Sequence, residues 1–278
     1  MSLTHEDVSE RVRVFTGRHP MEGVGVTSTV VSSGKDAFVF DTLMYPDDTR
    51  NLLLGVKSMG LSPVGLINTH WHWDHTAGNQ LFYETKRIIS HSLSPDLMRK
   101  MTWDDFNKDL EEGDKIRTVY PNETIKDKSV LTLGDLEVEF LHTPGHTPDS
   151  IVAHLKNERV IVAGDTVMEL PYLWFGDSLT LIDSLRSLKS TSAGKVIVQG
   201  HGGLCSSEKL DSDIRYVESA RKRVAECIGS GKTPKELVPL IPLSECLPSE
   251  RFERMPVAYG EFHSGNLEKL CGELTRSG

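Results

Sequence analysis

Long hydrophobic stretches are missing from this 278-residue chain: no apolar run approaches the roughly 20 residues that a membrane-spanning helix needs. Residues 1–13 are charged and carry no apolar leader of the secretory kind, so a cytoplasmic protein is expected. Cysteine is scarce. Cys205, Cys227, Cys246 and Cys271 fall in the last third of the chain, about twenty residues apart and with no C-x-x-C pair. Free thiols in a reducing compartment are therefore expected, rather than a disulfide framework or a thiolate site. Positive charge is in deficit, with 31 Lys and Arg against 40 Asp and Glu and a net charge of −9. Such a surface repels phosphate backbones, so nucleic acid is not an expected partner and neither is a membrane. Repeats and low-complexity tracts are also absent. What remains is ordinary globular balance, 38% hydrophobic and 26% charged, long enough for one large α/β domain or two small ones.

The pattern along the chain is β-rich twice and then helical. Thr29-Val30-Val31 and Ala37-Phe38-Val39-Phe40 flank the turn signal Ser32-Ser33-Gly34-Lys35-Asp36, which predicts a hairpin. Leu52, Leu53, Val56 and Met59 predict a helix over residues 47–60 ended by Gly60. A strand over 64–68, a helix over 76–83 and a strand over 87–90 follow, then a polar stretch over 94–121 read as helix plus excursion. A second strand block covers 130–162, with Gly134-Asp135 as a hairpin turn. Leu179, Ile182, Leu185 and Leu188 predict a helix covering a sheet, and 195–199 predicts one more strand. Beyond Ser206 the pattern is helical, broken by Pro234, Pro242 and Pro248.

Five of the eleven histidines stand in a distinctive arrangement. The apolar segment Val64-Gly65-Leu66-Ile67 runs directly into Thr69-His70-Trp71-His72-Trp73-Asp74-His75. His70 and His72, two apart, project to one side of an extended segment. Later apolar runs end in the same way: 136–141 in His142-Thr143-Pro144-Gly145-His146, 159–163 in Gly164-Asp165-Thr166, and 195–199 in Gly200-His201-Gly202. Each delivers a His or Asp, flanked by glycine, to one edge of a sheet, where ligand sites commonly lie. Five imidazoles and two carboxylates without thiolates suit zinc, and also iron or manganese. They are too many for one open tetrahedral site and enough for two ions about 3.5–4 Å apart that share a carboxylate.

In this order the four-part motif resembles the ligand signature of the metallo-β-lactamase superfamily over roughly residues 12–204, in particular its glyoxalase II and lactonase-like branch. The resemblance implies an αββα sandwich, two mixed β-sheets with helices on the outer faces, and a metal site at one edge. A catalytic domain over residues 1–204 is then followed by a helical C-terminal extension over 205–278. Carried over by position, His70, His72 and His146 hold one ion, Asp74, His75 and His201 hold the second, and Asp165 bridges both. Asp41 matches a supporting position rather than a ligand. The implied cofactors are two divalent ions, zinc first, with manganese and iron as the alternatives. The implied activity is hydrolysis of a small ester, thioester or lactone by a metal-bridging hydroxide, with Asp74 orienting the nucleophile or shuttling a proton. The expected partner is a small-molecule substrate, and a homodimer is the candidate assembly.

Departures from particular branches narrow this expectation. The antibiotic-hydrolysing branch lacks the bridging Asp that Asp165 supplies. The Gly-Cys-Gly-Arg-like segment of glyoxalase II and the persulfide dioxygenases is replaced by Met168-Glu169-Leu170-Pro171-Tyr172-Leu173-Trp174-Phe175. The lactonase Tyr position is Met168, with Tyr172 further along, and the RNA-gripping arm of ribonuclease Z relatives is absent. Phosphodiester cleavage and mononuclear iron persulfide oxygenation are the alternative activities. Tyr172, Trp174 and Phe175 are candidates for the substrate wall and for core packing alike. Trp71 and Trp73 are expected to divide, one walling the site and one packing. His5, His19, His91, His142 and His154 are read as non-ligands, and His263 as a helix-entry residue with a lesser claim on the site.

Overall fold

Alternation of side chains along the strands decides the architecture, because each sheet must bury both of its faces. The computed structural model describes residues 3–108, 110–112 and 115–276. In chain order the elements begin β1 (Thr4–Asp7), β2 (Val12–Arg18), β3 (Gly25–Ser33), β4 (Asp36–Phe40), α1 (Pro46–Ser58), β5 (Ser62–Ile67), α2 (Trp73–Thr76), β6 (Ile88–His91), α3 (Ser94–Met98), α4 (Asp104–Asn107) and β7 (Glu123–Ile125). They continue β8 (Lys128–Leu133), β9 (Leu136–His142), β10 (Ile151–Leu155), β11 (Val160–Val162), α5 (Ser178–Ser192), β12 (Val196–Val198) and β13 (Leu204–Cys205). The chain closes with α6 (Glu208–Gly229), α7 (Pro234–Leu240), α8 (Ser249–Arg254) and α9 (Tyr259–Arg276).

Strands β1 to β7 form one sheet in sequence order, antiparallel as far as β4 and parallel from β4 to β7. The second sheet runs β13-β12-β11-β10-β9-β8, with β11 and β12 its parallel pair. On β4, Phe38 and Phe40 point between the sheets while Ala37 and Val39 point outward beneath α1. On β10, Ile151, Ala153 and Leu155 face the first sheet, and Val152 faces the helical layer of α5, α6, α7 and α9. The order of layers is therefore helix, sheet, sheet, helix. Among the described residues no helix is long and apolar enough to cross a membrane, and the four cysteines are free.

The first expected hairpin closes at the Ser33 and Asp36 pair, and the second turns at Gly134, with φ of 57°, between the paired Leu133 and Leu136. Two details differ from the sequence reading. The helix expected over 76–83 begins three residues earlier, as α2 followed by a 3₁₀ turn over Ala77–Leu81. The helical turn keeps the neighbours Asp74 and His75 on one side, 3.7 Å apart, where a strand would send them to opposite faces. The buried stripe of α5 uses Leu181 with Ile182, Leu185 and Leu188, and Leu179 is 53% exposed. A spacing of three drifts by about 60° per step at 3.6 residues per turn, which carries Leu179 off the buried face. Of the polar stretch over 94–121, α3 and α4 are helical, Trp103 and Ile116 pack with Ala77, and residues 109, 113 and 114 lie outside the described residues.

The sheets are stitched together at the edge where β5, β11 and β12 end. Ile151 N–H donates to Thr69 O at 2.9 Å, and Thr27 donates through N–H and hydroxyl to the carbonyls of Gly200 and Gln199. Phe40 and Phe140 stack across the interior with ring centres 6.2 Å apart. Phe140→Ala is expected to lower the unfolding free energy by about 3–5 kcal/mol. Urea titration checks it, and a loss under about 1 kcal/mol contradicts the packing described here.

Candidate metal centre

The strand ends that stitch the sheets also carry the titratable residues. His70 and His72 follow β5, Asp74 and His75 sit on α2, His146 lies in the turn between β9 and β10, Asp165 follows β11 and His201 follows β12. All seven are buried. They gather into one group of His70, His72, His146 and Asp165 and an adjoining one of Asp74, His75 and His201, with the nitrogen and oxygen atoms of each group within 4.8 Å of one another. Asp165 stands between them. Its carboxylate oxygens lie 3.6 Å from His70 Nε2, 3.3 Å from His75 Nε2, 3.3 Å from His146 Nε2 and 3.4 Å from His201 Nε2. Asp74 Oδ2 lies 3.2 Å from His201 Nε2 and 3.7 Å from His75 Nε2.

Two glycines make this crowding feasible. A Cβ at Gly200 would stand 1.9 Å from Asp165 Oδ1, and one at Gly145, where φ is 136°, would stand 2.3 Å from the Leu181 backbone. Asp41 contributes through backbone strain, since β4 ends in a left-handed Asp41 with φ of 60°. A non-glycine residue in that region costs on the order of 1–3 kcal/mol, and at functional sites surrounding contacts hold it in place. Here they are hydrogen bonds: the Asp41 carboxylate accepts from Thr69 N–H at 2.8 Å and Thr69 Oγ1 at 2.7 Å, and faces His75 Nδ1 at 2.9 Å. Asp41 thus orients a neighbour and stands outside both groups.

These outer contacts fix which imidazole nitrogen faces inward. His146 Nδ1 meets Tyr172 O at 2.9 Å and His201 Nδ1 meets Gly25 O at 2.7 Å; a carbonyl only accepts, so both Nδ1 atoms carry protons. The Asp41 carboxylate imposes the same on His75. Thr69 Oγ1 donates to Asp41 and so accepts from His70 Nδ1 at 3.1 Å. In four rings Nε2 is left to take a metal or a second proton. His72 turns Nδ1 inward, 3.0 Å from His146 Nε2. Within the protein, Nε2 of His70, His72 and His75 and Oδ1 of Asp165 are buried with no hydrogen-bond partner. Buried ring nitrogens and a carboxylate oxygen left without partners in one cluster fit divalent metal ions, which would take up their lone pairs.

Charge points the same way. Burial holds His70 well below its ordinary pKa, takes His72 down to about 3 and lowers His146. Burial also opposes charge on His75 and His201, but Asp165 and Asp74 outweigh it, so His75 is held well above its ordinary value and His201 rises to about 10. Burial pushes the carboxyls of Asp74 and Asp165 up, and the imidazoles of His75 and His201 overrule it and hold both well below the carboxylate range. The buried carboxylates require compensating positive charge. In the metal-free chain protons on His75 and His201 provide it, and bound cations would displace them.

His72, Asp74, His146, Asp165 and His201 open onto a cleft of about 440 Å³, while His70 and His75 lie beneath. Trp71, Trp73, Tyr172, Trp174, Phe175 and Phe262 wall the cleft. Both tryptophans face it, so Trp71 and Trp73 do not divide as the sequence reading expected. His19, Met21 and Glu261 also line it, and no sequence signal marked them; the His19 ring lies 5.5 Å from that of His201. His263 is elsewhere: it accepts from Tyr216 OH at Nδ1 and donates to Ile241 O from Nε2. The segment carrying Tyr172 is clamped by α9, where Asn266 donates to Pro171 O and accepts from Leu173 N–H. His91 and His142 stack 4.1 Å apart near Asp127. His142 Nε2 donates to Pro148 O, and His91 Nδ1 accepts from Leu93 N–H.

The family model described as the metallo-β-lactamase superfamily matches residues 21–201. The chain is 27% identical over 176 residues to a hydroxyacylglutathione hydrolase of Mesorhizobium japonicum, covering 63% of this chain and 62% of that one. It is 25% identical over 174 residues to the human acyl-coenzyme A thioesterase MBLAC2, covering 53% of this chain and 59% of that one. The match thus spans about three fifths of the length of these relatives. In fold it is similar to the crystal structure of the DIM-1 metallo-β-lactamase exposed to ceftazidime, with a TM-score of 0.66 and 23% identity, covering 79% of this chain and 98% of that one.

The protonation pattern makes stability depend on pH once metal is removed. His201 titrates near 10 when folded against 6.5 ordinarily, so its contribution is whole below pH 6.5 and is lost as pH rises toward 10. His72 titrates near 3 when folded, so below pH 6.5 the unfolded chain takes up a proton that the folded chain refuses, and stability falls toward acid. Chelated protein is therefore expected to melt highest near pH 6.5 and to lose stability on both sides, while zinc loading flattens the alkaline arm. Melting curves from pH 4 to 10 check this. A chelated protein whose melting temperature is flat from pH 6.5 to 10 contradicts the arrangement.

Proposed function

The chain belongs to the metallo-β-lactamase superfamily, and on that premise we propose that it is a metal-dependent hydrolase of a small ester, thioester or lactone-type substrate with an apolar acyl portion. The observation that carries this is the set of inward Nε2 atoms around Asp165 at the base of an aromatic cleft. In this reading His70, His72 and His146 would hold one divalent ion, Asp74, His75 and His201 would hold a second, and Asp165 would serve both. Nitrogen and oxygen donors without thiolate suit zinc. The unpaired thiols suit a cytoplasmic setting. The hydrolase and thioesterase names of these two relatives support acyl transfer to water, and among the described residues that line the cleft there is no Lys or Arg to grip a phosphodiester.

Ions bound there supply positive charge that acidifies water and polarises a carbonyl. The chain's own groups do the rest. Trp71, Trp73, Phe175 and Phe262 cover the acyl portion and keep bulk water off it, at about 25 cal/mol per Å² of apolar surface removed. Asp74 lines the cleft and is held ionised by His201 and His75, so it accepts a hydrogen bond from the attacking water and aims its oxygen. In the reaction the water oxygen bonds to the carbonyl carbon and the bond to the leaving oxygen or sulfur breaks. One water proton passes by way of Asp74 to the leaving atom. The carbonyl of Tyr172 keeps the His146 proton on Nδ1, facing away from the cleft.

Asp74→Asn removes the acceptor and weakens the second group, so kcat is expected to fall by about 100-fold or more. Turnover of a panel of esters, thioesters and lactones, read beside metal content, tests this. Full turnover with full metal occupancy in Asp74→Asn would overturn the role given to Asp74.

A further inference from the structure

Beyond the cleft, on the other side of Trp174, a second groove of about 540 Å³ is lined by Lys232, Lys269 and Arg276, with Glu268 as the acidic residue among the described lining. Trp174 borders both cavities. One stripe of α9 runs beneath the two: Phe262 lies in the cleft, Lys269 and Arg276 in the groove, and Gly265 between them. At Gly265 an added Cβ would lie 3.4 Å from the Tyr172 ring and 3.7 Å from Trp174, ordinary packing distances, so both rings lie directly against this face of the helix. Residues spaced by seven and fourteen along a helix are about 10 and 21 Å apart, so the cations stand at those distances from the cleft end of α9.

Charge distinguishes the two cavities. Outside the histidines and carboxylates of the metal centre, the ionisable groups lining the cleft are His19, Tyr172 and Glu261. Fixed cationic side chains for an anion are thus found at the groove, among its Lys232, Lys269 and Arg276, and not along the aromatic walls of the cleft. The chain as a whole carries −9, which makes a local cluster of three cations against Glu268 a departure from its average field. Lys232 also lies 3.5 Å from Glu236, which leaves Lys269 and Arg276 as the principal anion contacts.

We propose that the groove seats the phosphate-bearing end of the substrate's leaving group, and that the substrate is an acyl thioester of a long thiol carrier of the coenzyme A kind. This rests on the hydrolase reading above. A simple ester or lactone occupies only the cleft. A thioester whose flexible arm ends in phosphates reaches both cavities, crossing Trp174 with its carbonyl at the metal centre and its anion at Lys269 and Arg276. Water adds to the acyl carbon, the carbon–sulfur bond breaks, and the thiol departs with one water proton, leaving the carboxylic acid. No other reactant is required.

The test compares an acyl-coenzyme A with the same acyl group on pantetheine, which lacks the phosphates, in wild type and in Lys269→Gln/Arg276→Gln. The wild type is expected to favour the phosphate-bearing thioester in kcat/KM by about tenfold or more, mainly through KM, as two charge-assisted contacts would give. The double variant should bring that ratio close to one, and salt near 0.5 M should do the same in wild type. Lys35→Gln/Lys57→Gln, which removes equal charge from the far side of the fold, should keep the preference. A wild type without preference, or a preference that survives the double variant, overturns the groove assignment. Hydrolysis of neutral esters but of neither thioester does so as well while sparing the hydrolase reading. No turnover of any ester or thioester by metal-loaded protein overturns both.

Discussion

A buried carboxylate with four imidazole nitrogens 3.3–3.6 Å away is the constraint on which this structure turns. Such a cluster is costly to hold without compensating charge, and several features of the fold bear directly on it. Gly200 is bare because any side chain would strike Asp165. Asp41 is twisted into the left-handed region so that one carboxylate can grip Thr69 and His75 together. Backbone carbonyls of Gly25 and Tyr172 settle the tautomers of His201 and His146. Backbone hydrogen bonds that join the two sheets also lie there, through Thr69, Thr27 and Gly200. Rigid strand ends hold such ligands to the tolerance that a metal site demands.

The helical layer takes part in the same arrangement. Asn266 on α9 bonds to both sides of Tyr172, Tyr216 on α6 donates to His263, and that network ties α6 and α9 to the segment that orients His146. A second buried cluster, Lys209 and Arg251 around Asp213, anchors the carbonyls of Met168 and Glu169 a few residues after Asp165. Packing of the C-terminal helices is therefore linked to metal-centre geometry through hydrogen bonds as well as through the shared apolar core. The same helix α9 then supplies one wall of the cleft and the cations of the groove.

Much of this was legible in the sequence, for a definite physical reason. His70, His72, Asp74, His75, His146, Asp165 and His201 each follow an apolar run within a few residues, so a local pattern announces that strand ends deliver metal-binding groups. The two-sheet order came with the family resemblance, because Ala37-Phe38-Val39-Phe40 is apolar on both faces and by itself marks only a buried strand of a hairpin. What was not legible arises at long range. Asn266 meets Pro171 and Leu173 from more than ninety residues away, and an Asn in a helix carries no sign of its partners. His19 and Met21 reach the cleft only because β3 and β12 meet at that edge, and nothing beside them in sequence hints at it. The spacing of Leu179 misled because a step of three imitates a helical face over two turns and leaves it over three.

The most direct test of the account is metal content by mass spectrometry on protein purified without added metal or chelator, then after reconstitution with zinc. The account predicts about two divalent ions per chain, as a shared-carboxylate site would hold. A chain that retains no metal even after reconstitution would contradict it, because the inward imidazoles around Asp165 would then have no cation to satisfy.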